Sequence, residues 1–133
     1  MDNKSSLTKL LTKEDFERIE GVFRQHFQIG LETTNDSGAQ IKGLCSEDCH
    51  PAFCRVVRSN PTGRRRCKKE RVRSLEIAIE TGQSYICLCH AGIVVVCVPV
   101  MDKDKALGGM FFGKCLWEPA SEILVKDIRK RLK

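Results

Sequence analysis

Cys89-His90-Ala91-Gly92 sets a thiol and an imidazole at the mouth of the apolar run Ile93 to Val100. Cys49, Cys54 and Cys67 precede it on segments that read as irregular or helical. Thiols drawn from separate segments of a small chain can converge on one pocket that holds a metal ion, a cluster or a polar small molecule. A four-thiolate set of Cys49, Cys54, Cys67 and Cys89, with Cys45 as substitute for one member, suits an iron–sulfur cluster of the 4Fe–4S type. Such clusters accept thiolates from any segments the fold brings together. Zinc ribbons instead use paired Cys-x-x-Cys knuckles, and this chain has none, which argues against a structural zinc module. The competing account of these residues is burial as small hydrophobes, a common fate of free cysteine.

The remaining thiols and imidazoles divide by position. Cys87 shares a strand face with Cys89 and can join its pocket, because alternate residues of a strand point the same way. Cys97 and Cys115 fall within apolar strands and read as core packing. His90 points away from Cys89 unless a turn at Ala91-Gly92 reorients it, in which case it can hydrogen-bond a ligand or tune a thiolate. His50, beside Pro51, reads as a surface residue and alternate metal ligand, and His26 as a partner for the last carbonyls of a helix. A nucleophile formed by Cys89 with His50 or His90 is the least favoured option, since adjacent strand residues diverge. Gly108-Gly109 and Gly113 mark a bulge or a close approach of ligand to backbone.

The elements that position these groups follow from caps and periodicity. Thr12 to Asp15 reads as a helix start, with Phe16, Ile19, Phe23 and Phe27 at helical spacing over about 13 to 26. The residues before it read as loose, with Leu7, Leu10 and Leu11 forming an amphipathic turn available to a partner. Phe27 to Thr33 and Ala39 to Leu44 flank the turn Asn35 to Gly38 as a β-hairpin. Ala52 to Ser59 reads as a short helix with Phe53, Val56 and Val57 on one side. Pro61 starts a longer helix that ends at Gly82 and turns Cys67, Leu75, Ala78 and Ile79 inward. Tyr85 to Cys89, Ile93 to Val100 and Ala106 to Trp117 read as an antiparallel meander stopped by Pro119. Ser121 caps a last helix with Ile123, Leu124, Ile128 and Leu132 inward. This order predicts an α+β fold: a five-stranded antiparallel sheet with helices packed on one face and flanking helices at both ends.

The chain has 133 residues, enough for one core, so 1–133 reads as a single domain with its core at about 12–117. No apolar stretch reaches the ~20 residues of a membrane span, and the N-terminus lacks the pattern of a secretory signal. A cytoplasmic location is the expectation, with the eight cysteines reduced. The net charge of +6 suggests nucleic acid, but seven basic residues lie between Arg64 and Arg73 with no aromatic among them. A solvated helix face accounts for them more fully than a stacking surface does, and a basic nucleic-acid-binding module is kept as the alternative function.

Phe53-Cys54, the break Asn60-Pro61-Thr62-Gly63, Cys67, and Cys89-His90-Ala91-Gly92-Ile93 occur in an order that resembles the PocR sensory domain family. Val98-Pro99-Val100 and Leu107-Gly108-Gly109 to Gly113 extend the resemblance over about 12 to 117. It implies a PAS-like fold serving as a non-enzymatic signal-input domain of a transcription regulator or sensor kinase, and a small ligand such as a short diol. Cys54, Cys67, Cys89 and His90 fall on the characteristic positions. Gly113-Lys114-Cys115 stands where Gly-Gln is expected, and Ile93 where leucine is. His90, Phe53 and Lys114 are the expected ligand-binding residues, while the additional Cys45 and Cys49 favour a metal or cluster. The resemblance also implies a homodimer through the terminal helices, with residues 118–133 leading to an output domain absent from this chain.

Overall fold

This computed structural model describes residues 3–47, 49–116 and 121–132. Helices α1 (Asn3–Leu10) and α2 (Lys13–Phe27) precede a hairpin of β1 (Glu32–Asn35) and β2 (Gln40–Cys45). Next come α3 (Ala52–Val57), α4 (Pro61–Thr81), β3 (Tyr85–Leu88), β4 (Val94–Asp102), β5 (Lys105–Cys115) and α5 (Glu122–Arg131). The strands form one antiparallel sheet in the order β2-β1-β5-β4-β3, the α+β architecture the sequence predicts.

Local chemistry starts and stops these elements where the sequence places them. Thr12 Oγ1 accepts the Asp15 N–H at 3.1 Å and the Asp15 carboxylate accepts the Thr12 N–H at 3.1 Å, a reciprocal cap on α2. Asn60 Oδ1 accepts the Gly63 N–H at 2.8 Å to open α4, and Gly82 closes that helix at φ +66°. Ser121 Oγ accepts the Leu124 N–H at 3.1 Å to open α5. In the hairpin, Asn35 Oδ1 accepts the N–H groups of Ser37 and Ala39, each at 3.0 Å, which folds the turn.

Alternation along β5 separates two cores. Phe111 packs with Cys97, Leu75 and Ala78, while Met110 and Phe112 face the cluster of Leu7, Phe16, Leu31, Ile41, Leu44 and Leu107. Thus α1 and α2 cover one face of the sheet and α4 the other. The single covered face expected from the sequence is corrected: a central strand apolar on both sides needs two covers. The N-terminal segment is not loose, because α1 packs on β5 and β1 with Leu7 fully buried. Phe27 ends α2 rather than beginning a strand, and it is exposed. Val56 and Ile123 point outward, and Cys115 is exposed rather than in the core, whereas Cys97 is fully buried. The expected run to Trp117 and the stop at Pro119 lie outside the described residues. Among the described residues no helix is long and apolar enough to cross a membrane.

Candidate functional site

The α4-covered face of the sheet opens into a small cleft of about 80 Å³. Helix α4 contributes Cys67, Glu70, Arg71 and Ser74, which share one stripe of the helix. The sheet contributes Glu32 from β1, Cys87 from β3, Val95 from β4, and Phe111 and Lys114 from β5. His50, Cys54 and Arg58 enter from α3 and its flanks, and Cys89, His90 and Ile93 from the β3–β4 turn.

That turn solves the alternation problem seen in the sequence. Gly92 donates its N–H to the Cys89 carbonyl and Cys89 its N–H to the Ile93 carbonyl, both at 2.9 Å. Gly92 takes φ +89°, a conformation that glycine adopts without Cβ strain. Cys89 and His90 therefore both line the cleft. Cys89 Sγ accepts the Ala91 N–H at 3.3 Å, and His90 Nε2 lies 3.2 Å from Cys67 Sγ. The thiol–imidazole contact thus involves Cys67, not Cys89 as the sequence pairing had it. His90 Nδ1 is buried and has no hydrogen-bond partner among the described residues. Burial first, then Arg66, lowers the His90 pKa against the opposing pull of Glu70, favouring the neutral ring. When the Cys67 thiol donates to Nε2, the ring proton resides on Nδ1 and offers a buried donor.

Cys54 and Cys67 are pushed toward the neutral thiol for a related reason. Burial pushes Cys54 and Cys67 up, with the neighbouring thiols adding to the effect, while Lys114, Arg58 and Arg71 pull toward the thiolate. Cys87, also raised by burial, lies 3.7 Å from Ser74 Oγ. Cys54, Cys67 and Cys89 of the four-thiolate set share the cleft. Cys49 stands outside its lining, buried beside Gln40, and Cys45 Sγ lies within reach of the Thr33 and Ile41 carbonyls. Of the expected ligand-binding residues, His90 and Lys114 line the cleft, whereas Phe53 lines a separate hollow against α5.

The other end of the cleft is a charged network that sequence reading missed. Glu32, 1% exposed, lies 3.5 Å from Arg71 Nη2, 3.7 Å from Lys114 Nζ and 3.3 Å from His50 Nε2, and also accepts from the Gln40 amide. Burial alone would raise its pKa; Lys114, Arg71, the Gln40 hydrogen bond and His50 together hold it below the usual value. His50 is half-buried rather than a surface residue. Burial and Lys114 lower its pKa to about 4, so the ring is neutral at pH 7 and Arg58 Nη1 can donate to its Nε2 at 2.8 Å. Lys114 Nζ also donates to the Cys49 carbonyl. Glu32, Cys49 and His50 bring three donor atoms within 4.8 Å of one another, but Arg71 and Lys114 already occupy the same carboxylate. Arg71 belongs to the basic run that reads as solvated. Its place four residues after Cys67, on the stripe that leads to Leu75, is the signal that separates it from exposed Arg65, Lys68 and Lys69.

No curated protein matches this sequence. Among solved structures, the GAF domain/HD domain protein from Geobacter sulfurreducens is similar, with a TM-score of 0.52 at 13% identity, covering 92% of this chain and 88% of that one. At that identity the likeness concerns the fold, which is of the PAS/GAF type. The family described as the sensory domain found in PocR matches residues 9–133. That span takes in the Cys54, Cys67 and Cys89-His90 elements of the cleft, and the chain belongs to the PocR sensory domain family.

Proposed function

We propose that the chain is a cytoplasmic signal-input domain whose input is occupancy of the cleft between α4 and the sheet. The observation that carries this reading is the convergence of Cys54, Cys67, Cys89 and His90, from three separate segments, on that cleft. A ligand acts through its differential affinity for two arrangements of the domain, and α4 and the β3–β4 turn are the parts that touch it. The output is a regulator or kinase module, and dimerisation through the terminal helices is part of the same proposal.

A cysteine-ligated cofactor is the leading occupant. A thiolate-bound iron–sulfur cluster is net negative, and Arg58, Arg71 and Lys114 stand on the same cleft where they favour thiolates. Cys54, Cys67 and Cys89 would hold it, with Cys87, which lines the cleft, or Cys49, which does not, as fourth ligand. Such a group would supply redox or oxygen sensitivity. The second reading is a small organic ligand, supported by the apolar walls Ile93, Val95 and Phe111 and by the unpartnered His90 Nδ1.

Protein purified without oxygen is to be examined by absorption spectroscopy with iron, sulfide and zinc quantification, alongside Cys54→Ala and Cys89→Ala. Brown protein containing iron and sulfide, lost in both variants, is the expected result for the cofactor. Colourless, metal-free protein overturns it and leaves the organic ligand.

A further inference from the structure

We infer that the Glu32 end of the cleft receives the oxyanion head of a small organic acid. This rests on the second reading above, in which the cleft holds a small organic ligand, and specifies the chemistry of one end of it. Arg71 and Lys114 share a single carboxylate there, and a third cation, Arg58, lines the same cleft. The side chains of Arg71 and Lys114 are only 14% and 11% exposed, and both share Glu32. Arg58 Nη1 lies 2.8 Å from His50 Nε2, an imidazole that brings no negative charge. The other acid on the cleft, Glu70, acts on His90 and Cys87 at the thiol end.

Buried cations in excess of their counter-charge are costly unless something anionic joins them. Guanidinium forks match the planar geometry of a carboxylate, and the same donors suit a phosphate. Beyond the cations the walls are apolar, formed by Ile93, Val95 and Phe111, which suits a short hydrocarbon body. A divalent cation on Glu32, Cys49 and His50 would instead have to displace Arg71 and Lys114 from the carboxylate.

The test compares propionate with 1,2-propanediol, which has the same number of carbons and no charge, and with inorganic phosphate, at constant ionic strength. Thermal unfolding of the full chain is the readout, with Arg71→Met and Lys114→Met as cleft variants and Arg65→Met as a control on the outer face of α4. Saturable stabilisation by propionate or phosphate but not by the diol is expected. Each cleft variant should weaken it about ten-fold or more, and Arg65→Met should leave it intact. Should a cleft variant fail to fold, Glu32→Gln reads the same charge in the opposite direction: half-saturation should fall several-fold. An anion effect that survives in both cleft variants overturns the inference by placing the anion elsewhere. Stabilisation by the diol equal to that by propionate, and indifferent to Arg71 and Lys114, overturns the anion subsite while leaving the cleft as ligand site. No response to any of the three overturns the anion subsite and removes support from an organic ligand as well.

Discussion

His50 shows how a residue with no distinctive sequence motif acquires a defined protonation state. Its depressed pKa means that the folded domain resists protonating it, so its neutral form contributes full stability above pH 6.5. That contribution is lost as the pH falls from 6.5 through about 4, and Glu32, whose pKa is also lowered, adds its own loss below 4.5. Urea denaturation at pH 7.5 and pH 4.5 should show the domain weaker at the lower pH, with a smaller difference in His50→Gln. The thiol residues were legible because cysteine and histidine are rare and chemically marked. The charged network was not, since Arg58, Arg71 and Glu32 look like ordinary surface charges until tertiary packing turns them inward. His50 was misplaced for the same reason: only contact with Lys114 and Arg58 decides its surroundings.

At the scale of elements, helix starts were readable from Thr12, Asn60 and Ser121, because caps are local hydrogen bonds. The two-sided sheet was harder to read, since the inner faces of β4 and β5 show near-continuous apolar runs without clean alternation. The α3–α4 junction depends on Gly63. A Cβ there would lie 1.8 Å from the Val57 carbonyl oxygen, so the break at Pro61-Thr62-Gly63 allows two helices to close on each other. Glycine to alanine within a helix ordinarily gains about 1 kcal/mol. Gly63→Ala should instead lower the melting temperature in a thermal scan. Leu75 anchors α4 on the sheet, its Cδ1 filling the space that a Cβ at Gly109 would approach at 2.6 Å. Leu75→Ala should cost about 2–5 kcal/mol by chemical denaturation, as buried leucine truncations do.

For the molecule as a whole, the proposed cleft occupant bridges helix and sheet, so its loss should be felt globally. If the protein is isolated with a cluster or metal, chelation or air oxidation should lower its melting temperature; at a concentration about 100 times Kd, a native-state ligand stabilises by roughly 2.7 kcal/mol. Differential scanning calorimetry before and after removal checks this. The Cys89–Gly92 turn carries a further consequence for how a signal leaves the domain. At Gly92 an added Cβ would meet Arg131 Cδ at 3.0 Å and Ile128 at 3.6 Å, and Arg66 of α4 donates to the Arg131 carbonyl at 3.1 Å. The backbone that presents Cys89 and His90 is therefore in mechanical register with the last turn of α5. With no side chain on Gly92 to hold the two apart, Arg131 and Ile128 sit directly on the turn, and under the proposed function the tilt of that helix would gauge what the turn is holding.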